Sequence, residues 1–467
     1  MIGALLLASL VATEPPARTA STGTEAEAIV GEALRGGAFG VVAELTDGVG
    51  ARPAGSPGAA AAVRWAEGWL RLHGIAVRLQ PLEVASWVRG EERAEVVADA
   101  GRRPQPLAIT ALGGSSPTRR GGVMAEVLEV SSLEELRALG PKAKGKIVLL
   151  QHDMKVASDY GRFSPLRMNG PAEASRLGAA AALVRSLSTA TFRLPHTGAT
   201  FFPPGVDPIP AGALAVEDAE LLHRLLARGP VRVRLALGGR MAYPPVARSA
   251  NVVAEIRGAT APEEVVLIGA HLDSWDLGTG AVDDAAGVAM VLETMRILSA
   301  MPHPPRRTVR GVLFMNEENG LEGGVAYHEA SLTDGTRHVV ALEADAGAGR
   351  PVGLSATVGP GGLDLVRRLA APLARVGAEK VSEGGGGADI SPLAWAGVPF
   401  VEVEQDTSRY FDWHHSAADT LDKVDPQELA RATAAFAWIT WALAEAPDTL
   451  PRTVPPRREP WWKRPSP

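Results

Sequence analysis

The stretch that most constrains the fold is an apolar run that ends in a cluster of charged side chains. Residues Val265–Ala270 are apolar throughout, which is typical of a strand covered on both faces of a sheet. His271 and Asp273 follow directly, and Asp283 precedes a segment, Ala285–Leu298, whose apolar residues recur at helical spacing. Ligands of open α/β sheets bind at the carboxyl ends of strands, so the cluster is either a helix cap with solvated neighbours or a metal site. This stretch alone leaves both interpretations open.

Length and composition limit the number of domains, the class of partner and the types of metal ligand. A chain of 467 residues exceeds one ordinary domain, so we expect two or three. The net charge of −6 gives no support to nucleic-acid binding, which needs a basic surplus. The sequence contains no cysteine, which excludes disulfides, thiolate ligands and a cysteine nucleophile. Any metal site must therefore use His, Asp and Glu.

The amino terminus carries an apolar segment, Met1–Ala12, that is too short to span a membrane stably. It is typical of a signal-peptide core, although it lacks a basic n-region, and it predicts export to the periplasm or the medium. A mis-assigned start or a disordered tail is the alternative. We predict a signal peptide and disordered leader over residues 1–27, a Pro-rich tail over residues 449–467, and no membrane span in the mature protein.

Strand and helix patterns alternate along most of the chain. This alternation predicts an α/β fold with a mixed, mostly parallel sheet and helices on both faces. The sequence pattern changes around Gly121. From there a block of roughly 120 residues has its own alternation of strand and helix patterns and the size of a small domain. We therefore predict an inserted domain over residues 121–246 and a discontinuous main domain over residues 28–120 and 247–448.

Further carboxylates and histidines stand where later predicted strands end. Glu317 and Glu318 follow one strand, and Asp345 follows the next. His414 and His415 lie in the loop before the last helix. Adjacent residues on an extended chain point in different directions, so one glutamate can face a metal while its neighbour faces a substrate.

Five of these side chains form a set that suits metal binding. Any one of them alone is explained more simply as a structural residue, but five in consecutive elements of one sheet are poorly explained as caps. Crowded carboxylates without a metal would repel one another. Two divalent ions, each with one histidine and one terminal carboxylate and with one shared aspartate, resolve that repulsion; zinc fits best, with Mn²⁺ or Co²⁺ as alternatives. The set comprises His271, Asp283, Glu318, Asp345 and His415.

The chain resembles the co-catalytic zinc aminopeptidase/glutamate carboxypeptidase family. The resemblance runs from about Ile29 to Ala446, and the inserted block resembles a protease-associated domain. The core motifs are His271-x-Asp273, Asp283-Asp284, Glu317-Glu318, Asp345 and His415-Ser416-Ala417-Ala418-Asp419-Thr420. Longer strings that narrow the resemblance are His271-Leu272-Asp273-Ser274-Trp275-Asp276, Trp87-Val88-Arg89-Gly90-Glu91-Glu92, Pro195-His196-Thr197-Gly198 and Val216-Glu217-Asp218-Ala219-Glu220.

The resemblance implies how the five ligands divide between two zinc ions. Asp283 would bridge both ions. His271 and Asp345 would complete one ion, and Glu318 and His415 the other. His415 is preferred to its neighbouring histidine because it stands four residues before an aspartate, as the family ligand does.

The resemblance also implies roles around the metals. Glu317 would be the general base that takes a proton from metal-bound water and returns it to the leaving amine. Asp273 would orient a ligand histidine through its far ring nitrogen. Asp389 matches a loop beside the substrate, Tyr410 is a candidate to support the oxyanion, and His414 is a candidate for substrate contact.

These observations lead to one main functional hypothesis. We predict an exported zinc-dependent exopeptidase that hydrolyses dipeptides or short peptides with free termini through a dizinc-bound hydroxide. An aminopeptidase acting on longer peptides is the alternative, because it shares the metal core. A non-catalytic receptor or scaffold is a distant alternative, which the intact Glu317 disfavours. The expected partner is a peptide substrate, and the resemblance implies a homodimer.

Overall fold

The computed structural model describes residues 22–98 and 103–456. The predicted signal peptide and the end of the Pro-rich tail lie outside these residues. The helices are α1 Thr22–Ala33, α2 Gly37–Gly48, α3 Pro57–Leu72, α4 Leu133–Leu139, α5 Tyr160–Arg176, α6 Val216–Leu226, α7 Ala286–Ser299, α8 Glu322–Ser331, α9 Gly362–Ala370, α10 Tyr410–Trp413 and α11 Pro426–Glu445. The strands are β1 Ala76–Val88, β2 Glu92–Val96, β3 Gln105–Leu107, β4 Ile109–Ala111, β5 Val123–Val130, β6 Ile147–Leu150, β7 Ala181–Arg185, β8 Ala211–Leu214, β9 Arg232–Leu237, β10 Arg240–Ile256, β11 Ala261–His271, β12 Arg307–Phe314, β13 Arg337–Glu343, β14 Pro351–Thr357, β15 Val381–Glu383 and β16 Phe400–Gln405.

The first sheet confirms the predicted mixed, mostly parallel architecture. Its order is β1-β10-β12-β11-β13-β16-β14-β15. The pairs β12–β11, β11–β13, β13–β16 and β14–β15 are parallel, and the remaining three pairs are antiparallel. The central strands are buried on both faces, which is why they read as continuous apolar runs rather than alternating ones.

Helices cover both faces of this sheet. On β11, Val266 and Ile268 pack into the core with α7 and α11, whereas Leu267 packs on the opposite face with Tyr327 of α8. The alternation follows from the two-residue repeat of a strand. Helix α11 is buried on nearly every side, with Arg431 as the exception between Leu429 and Ala444. A helix that is apolar all round belongs in a core, so α11 forms the centre of the helical layer.

A second sheet forms the inserted domain. Its order is β3-β2-β9-β5-β6-β7-β8-β4, and α4, α5 and α6 accompany it. By sheet membership the insertion runs from Glu92 to Leu237, so both predicted boundaries, 121 and 246, shift. The reason is the long antiparallel ribbon of β1 and β10, which pair from Ala76 with Glu255 to Val88 with Arg240 and carry the chain out of the first sheet and back.

Both ends of the described chain pack on the main domain. Residues 22–27, predicted as part of a disordered leader, instead belong to α1, because Ala26 and Ile29 lie at helical spacing and bury in the main core. At the other end, Arg452 donates hydrogen bonds to the carbonyl oxygens of Ala396 and His338. None of the helices within residues 22–98 and 103–456 has the length and apolar character to cross a bilayer.

Two buried histidines should make the protein sensitive to acid. Burial lowers the pKa of His338 to about 3 and that of His152 to about 4, from an ordinary value of 6.5. Below pH 6.5 the unfolded chain takes up protons that the folded chain does not bind, so the free energy of unfolding is fully retained above pH 6.5 and falls as the pH drops toward the folded values. We expect a loss on the order of 3 kcal/mol per histidine, measured by urea unfolding from pH 7 to pH 4.

The variant His338→Gln should flatten part of that dependence, because the group that differs between the two states is gone. His223 provides the matched control. It is exposed and bonded to Glu129, so His223→Gln should leave the slope nearly unchanged. An identical pH slope in His338→Gln and the wild type would contradict the argument.

Candidate metal centre

Parallel strands bring three predicted site segments to one edge of the first sheet. His271 is the last residue of β11. Glu317 and Glu318 follow β12, and Asp345 follows β13. Because these three strands are adjacent and parallel, their carboxyl ends meet at a single place, as expected for ligand sites in open α/β sheets.

Asp283 lies between two histidine–carboxylate pairs. Its Oδ1 is 3.0 Å from His271 Nε2, and its Oδ2 is 3.3 Å from His415 Nε2. His271 Nε2 is also 3.6 Å from Asp345 Oδ1, and His415 Nε2 is 2.9 Å from Glu318 Oε2. The five side chains therefore form two half-sites that share one aspartate. A cis peptide bond joins Asp283 to the next residue.

The donor atoms of these half-sites fit divalent metal ions. The far ring nitrogen of each histidine faces a carbonyl oxygen: His271 Nδ1 is 3.1 Å from that of Asp273, and His415 Nδ1 is 3.3 Å from that of Thr197. A bond of this kind leaves Nε2 as the free ligand atom. Glu318 Oε1 is buried and has no hydrogen-bond partner among the described residues, as expected for an oxygen that is a metal ligand.

Charge compensation also favours a cation at this site. Burial acts to lower the pKa of His271, but its hydrogen bond to Asp283 and the nearby carboxylate of Asp345 outweigh burial and leave that pKa well above its ordinary value. Burial and the charge of Asp283 raise the pKa of Glu318, although His415 opposes the shift. In the absence of a metal, bound protons offset the negative charge of the clustered carboxylates. A divalent cation would offset the same charge without those protons.

Glu317 lies beside the ligand set rather than within it. Burial raises the pKa of Glu317 well above its ordinary value, and Asp345 and Glu318 add to the shift against the opposing effect of His271. A carboxyl group with a raised pKa can accept and return a proton near neutral pH, which is what a general base and acid requires.

Asp273 occupies a different position from the predicted one. Its Oδ1 is 3.9 Å from His271 Nδ1, which is too long for a hydrogen bond, so its carbonyl oxygen is what faces the ring. The carboxylate instead accepts hydrogen bonds from the backbone N–H groups of Asn316 (2.7 Å), Glu317 (3.1 Å) and Glu318 (3.4 Å). Asp273 therefore shapes the loop that carries the candidate base and one candidate ligand.

The adjacent histidines of the last loop differ in their contacts. Their rings stack with centroids 3.5 Å apart. His414 Nε2 is 3.6 Å from Asp283 Oδ2, farther than the corresponding atom of His415. The donor atoms of Asp283, His414 and His415 all lie within 4.8 Å of one another, but only His415 also pairs with Glu318, at 2.9 Å, which favours His415 as the ligand. Tyr410 packs beside His414, and burial followed by the charge of Asp283 raises its pKa well above the ordinary value, so its phenol stays protonated and able to donate.

Asp389 is buried close to the candidate base. Neither of its carboxylate oxygens has a hydrogen-bond partner among the described residues. Burial, with the charges of Glu343 and Glu317, raises its pKa well above the ordinary value. The turn that holds Asp389 is itself fixed by the Glu343 carboxylate, which accepts hydrogen bonds from the N–H groups of Asp389 (3.2 Å) and Ile390 (2.9 Å).

Comparison with known proteins identifies the family. Residues 251–440, from β10 to α11, match peptidase family M28. Carboxypeptidase Q from Bos taurus is 35% identical over 414 residues, which cover 88% of this chain and 86% of the relative. The chain belongs to peptidase family M28. This membership confirms the predicted family and the predicted enzyme class, a metallo-exopeptidase.

Solved structures agree with this assignment. A peptidase M28 precursor from Shewanella amazonensis SB2B is 36% identical and superposes with a TM-score of 0.89, covering 93% of this chain and 99% of that one. A zinc aminopeptidase from Bacillus subtilis is 21% identical with a TM-score of 0.60, covering 88% and 98% of the two chains, and shows likeness of fold alone.

One residue that supports the site in this M28 peptidase, Arg52, could not be found from a local pattern. Arg52 is fully buried, and its guanidinium donates to the carbonyl oxygens of Leu272 (2.8 Å), Thr279 (2.6 Å) and Gly280 (3.0 Å). It thereby ties together the two ends of the loop between β11 and α7. The sequence around Arg52 predicts only a loop rich in glycine and proline, and a single arginine there carries no signal of burial.

Asp419 supports the shared aspartate through the backbone. Its Oδ1 accepts from Val282 N (2.7 Å), and its Oδ2 accepts from Asp283 N (3.2 Å). Burial and the charge of Asp283 raise the pKa of Asp419 to about 7. The spacing from His415 to Asp419 was the only sequence signal for this residue, and the structure explains it: one loop supplies both a candidate ligand and the support for another.

Trp275 packs on the insertion, and Asp276 pairs with Arg89, which stands just before the insertion and bonds to Glu92 and Ala111 within it. Asp276 forms a bidentate ion pair with Arg89, with both oxygens 2.9 Å from Nε. Trp275 packs within the apolar core of the insertion, and its ring meets that of His415 edge-on at 5.8 Å. These contacts account for the two residues of the longer motif that metal binding does not explain.

Proposed function

We propose that the chain is a dizinc exopeptidase that hydrolyses dipeptides or short peptides with free termini. The observation that carries the proposal is the position of Asp283, whose two carboxylate oxygens face His271 and His415 separately. Asp345 and Glu318 complete the two half-sites, and Glu317 stands beside them without belonging to either. Relatives named carboxypeptidase Q support the exopeptidase class.

In this proposal the metal ions, Glu317 and Tyr410 would have separate roles in hydrolysis. When bound, two zinc ions would supply Lewis acidity for a water molecule and for the carbonyl of the scissile bond. Glu317 would take the proton of the attacking water and deliver it to the nitrogen of the leaving amine, so that proton loss and gain balance. Tyr410, kept protonated, would donate a hydrogen bond to the oxygen that becomes negatively charged.

A panel of small peptides tests this function. The purified protein, supplied with zinc, is incubated with a free dipeptide, its N-acetylated form, its C-amidated form and a longer peptide with the same terminal residues, and products are read by mass spectrometry. We expect cleavage of the free dipeptide and its loss on addition of a chelator. Cleavage that also requires a free amino terminus but extends to the longer peptide would instead support the aminopeptidase alternative.

The proposal also includes export, a homodimer and a native metal. Export rests on the apolar segment Met1–Ala12, and the homodimer and the protease-associated character of the insertion rest on the family resemblance. The native metal is proposed as Zn²⁺ from the donor set, with Mn²⁺ or Co²⁺ as substitutes. Metal analysis of protein purified without added metal, together with its mass in solution, addresses the metal and the dimer.

A further inference from the structure

The insertion holds the loop that carries His415. Thr197 N donates to the carbonyl oxygen of His415 at 2.9 Å, and His196 Nδ1 donates to that of His414 at 2.6 Å. Both donors belong to the connection between β7 and β8 of the second sheet. The loop before α11 is therefore fixed along its main chain by a domain that contributes none of the five candidate ligands.

The two candidate ligand histidines differ in what orients their rings. His271 Nδ1 faces the carbonyl oxygen of Asp273, which lies two residues away in the main domain. His415 Nδ1 faces the carbonyl oxygen of Thr197, which lies 218 residues away in the insertion. An outer partner of this kind sets the ring orientation and the basicity of a ligand histidine. One half-site is thus built within the main domain, and the other is shared between domains.

Arg167 of α5 reinforces the shared half-site. Its NH1 donates to the Thr197 carbonyl oxygen at 3.4 Å, the same oxygen that faces His415 Nδ1, and its NH2 donates to the Tyr160 hydroxyl at 3.0 Å. The side chain is buried, and no carboxylate forms an ion pair with it among the described residues. A Cβ on Gly198 would lie 2.3 Å from the Arg167 guanidinium carbon, so this close approach requires glycine.

We propose that the insertion completes the half-site of His415 and Glu318, with Arg167 as the positioning residue. Arg167 holds the Thr197 carbonyl oxygen against the far nitrogen of His415 and so fixes the direction of Nε2. Docking of the insertion therefore determines the affinity of one metal position and leaves the position at His271 and Asp345 independent. This inference rests on the proposed two-metal site.

The test compares metal binding in the full-length protein and its Arg167→Met variant. Metal-free protein is titrated with Zn²⁺ in competition with a chromophoric chelator, and with Co²⁺ while the visible absorption of the bound ion is recorded. We expect about 10–100-fold weaker binding of one of the two ions and an unchanged affinity for the other. Arg167→Lys keeps the charge but not the planar guanidinium group, so its affinity for the weakened ion should lie between those of Arg167→Met and the wild type.

Arg185→Met is the matched control. Arg185 is also a buried arginine of the insertion, but it contacts His152 and Glu220 rather than a candidate ligand. Both arginine variants should lose thermal stability, whereas only Arg167→Met should lose affinity at one metal position. Gly198→Ala, which displaces the Arg167 side chain, provides a second route to the same selective loss if Arg167→Met does not fold.

The outcomes separate this inference from the proposed function. Two ions bound with unchanged affinities in folded Arg167→Met or Gly198→Ala would overturn the inference and leave the function intact. Equal weakening of both ions would also overturn it, because the half-sites would then not be independent. A wild type that binds only one ion would instead refute the proposed two-metal site.

Discussion

Replacing Glu317 with glutamine should lower kcat by about 10²–10⁴-fold and leave the bound metal in place. Glutamine keeps the shape of the side chain but cannot accept the proton of the attacking water. Within the described residues Glu317 makes no ion pair with His271 or His415, whereas Asp283, Asp345 and Glu318 do, so its loss removes none of the five candidate ligands. The measurement is kcat on the best dipeptide of the panel together with metal content by elemental analysis.

Glu329→Gln on α8 is the matched control for this variant. Glu329 is exposed, so the change removes the same charge away from the site and should leave both quantities near those of the wild type. Glu317→Gln with nearly full activity would place the base elsewhere. Loss of metal along with activity would make Glu317 a ligand rather than a base.

Replacing Asp283 with asparagine should release both ions and abolish activity. The two carboxylate oxygens of Asp283 lie 3.0 Å and 3.3 Å from the Nε2 atoms of His271 and His415, so one substitution weakens both half-sites. An amide offers one neutral oxygen where the carboxylate offers two charged ones. The measurement is zinc per chain by elemental analysis after dialysis against a weak chelator.

Asp345→Asn gives the graded comparison. Asp345 Oδ1 is 3.6 Å from His271 Nε2 and faces only one half-site, so this variant should lose one ion and retain the other. Equal metal loss in Asp283→Asn and Asp345→Asn would contradict the assignment of Asp283 as the shared ligand. Retention of both ions in Asp283→Asn would contradict it as well.

Much of the main sheet was predictable because its central strands are local apolar runs. Elements nearer the edges of the sheet carry mixed sequence signals and are harder to predict. Strand β14 begins with Pro351 and contains Gly353, both of which weaken a strand pattern, and its pairing with β16 supplies the missing preference. Helix α8 contains Gly323 and Gly324, which lower helix propensity. Gly323 is needed because a Cβ there would lie 2.6 Å from Asn251 Oδ1.

The limits of the insertion depend on pairing between distant residues. Strand β2 precedes the change of sequence pattern at Gly121. It nevertheless belongs to the second sheet, where its Ala94 pairs with Leu235 of β9. No local pattern distinguishes a strand that continues the first sheet from one that opens a second. The roles of Asp273 and Arg52 have the same origin, since Arg52 bonds to Leu272 across 220 residues of sequence.

The sequence by itself determined which chemical groups stand at strand ends. His271, Asp283, Glu317, Glu318 and Asp345 each follow an apolar run or precede a helix, and adjacent parallel strands must end at one edge. Only the tertiary structure decided which atoms face one another. It turned the Asp273 carboxylate toward the Glu317 loop and set the ring of His415 against a carbonyl oxygen of the insertion. Side-chain direction at such a site depends on hydrogen bonds to residues far away in sequence, and local periodicity carries no information about them.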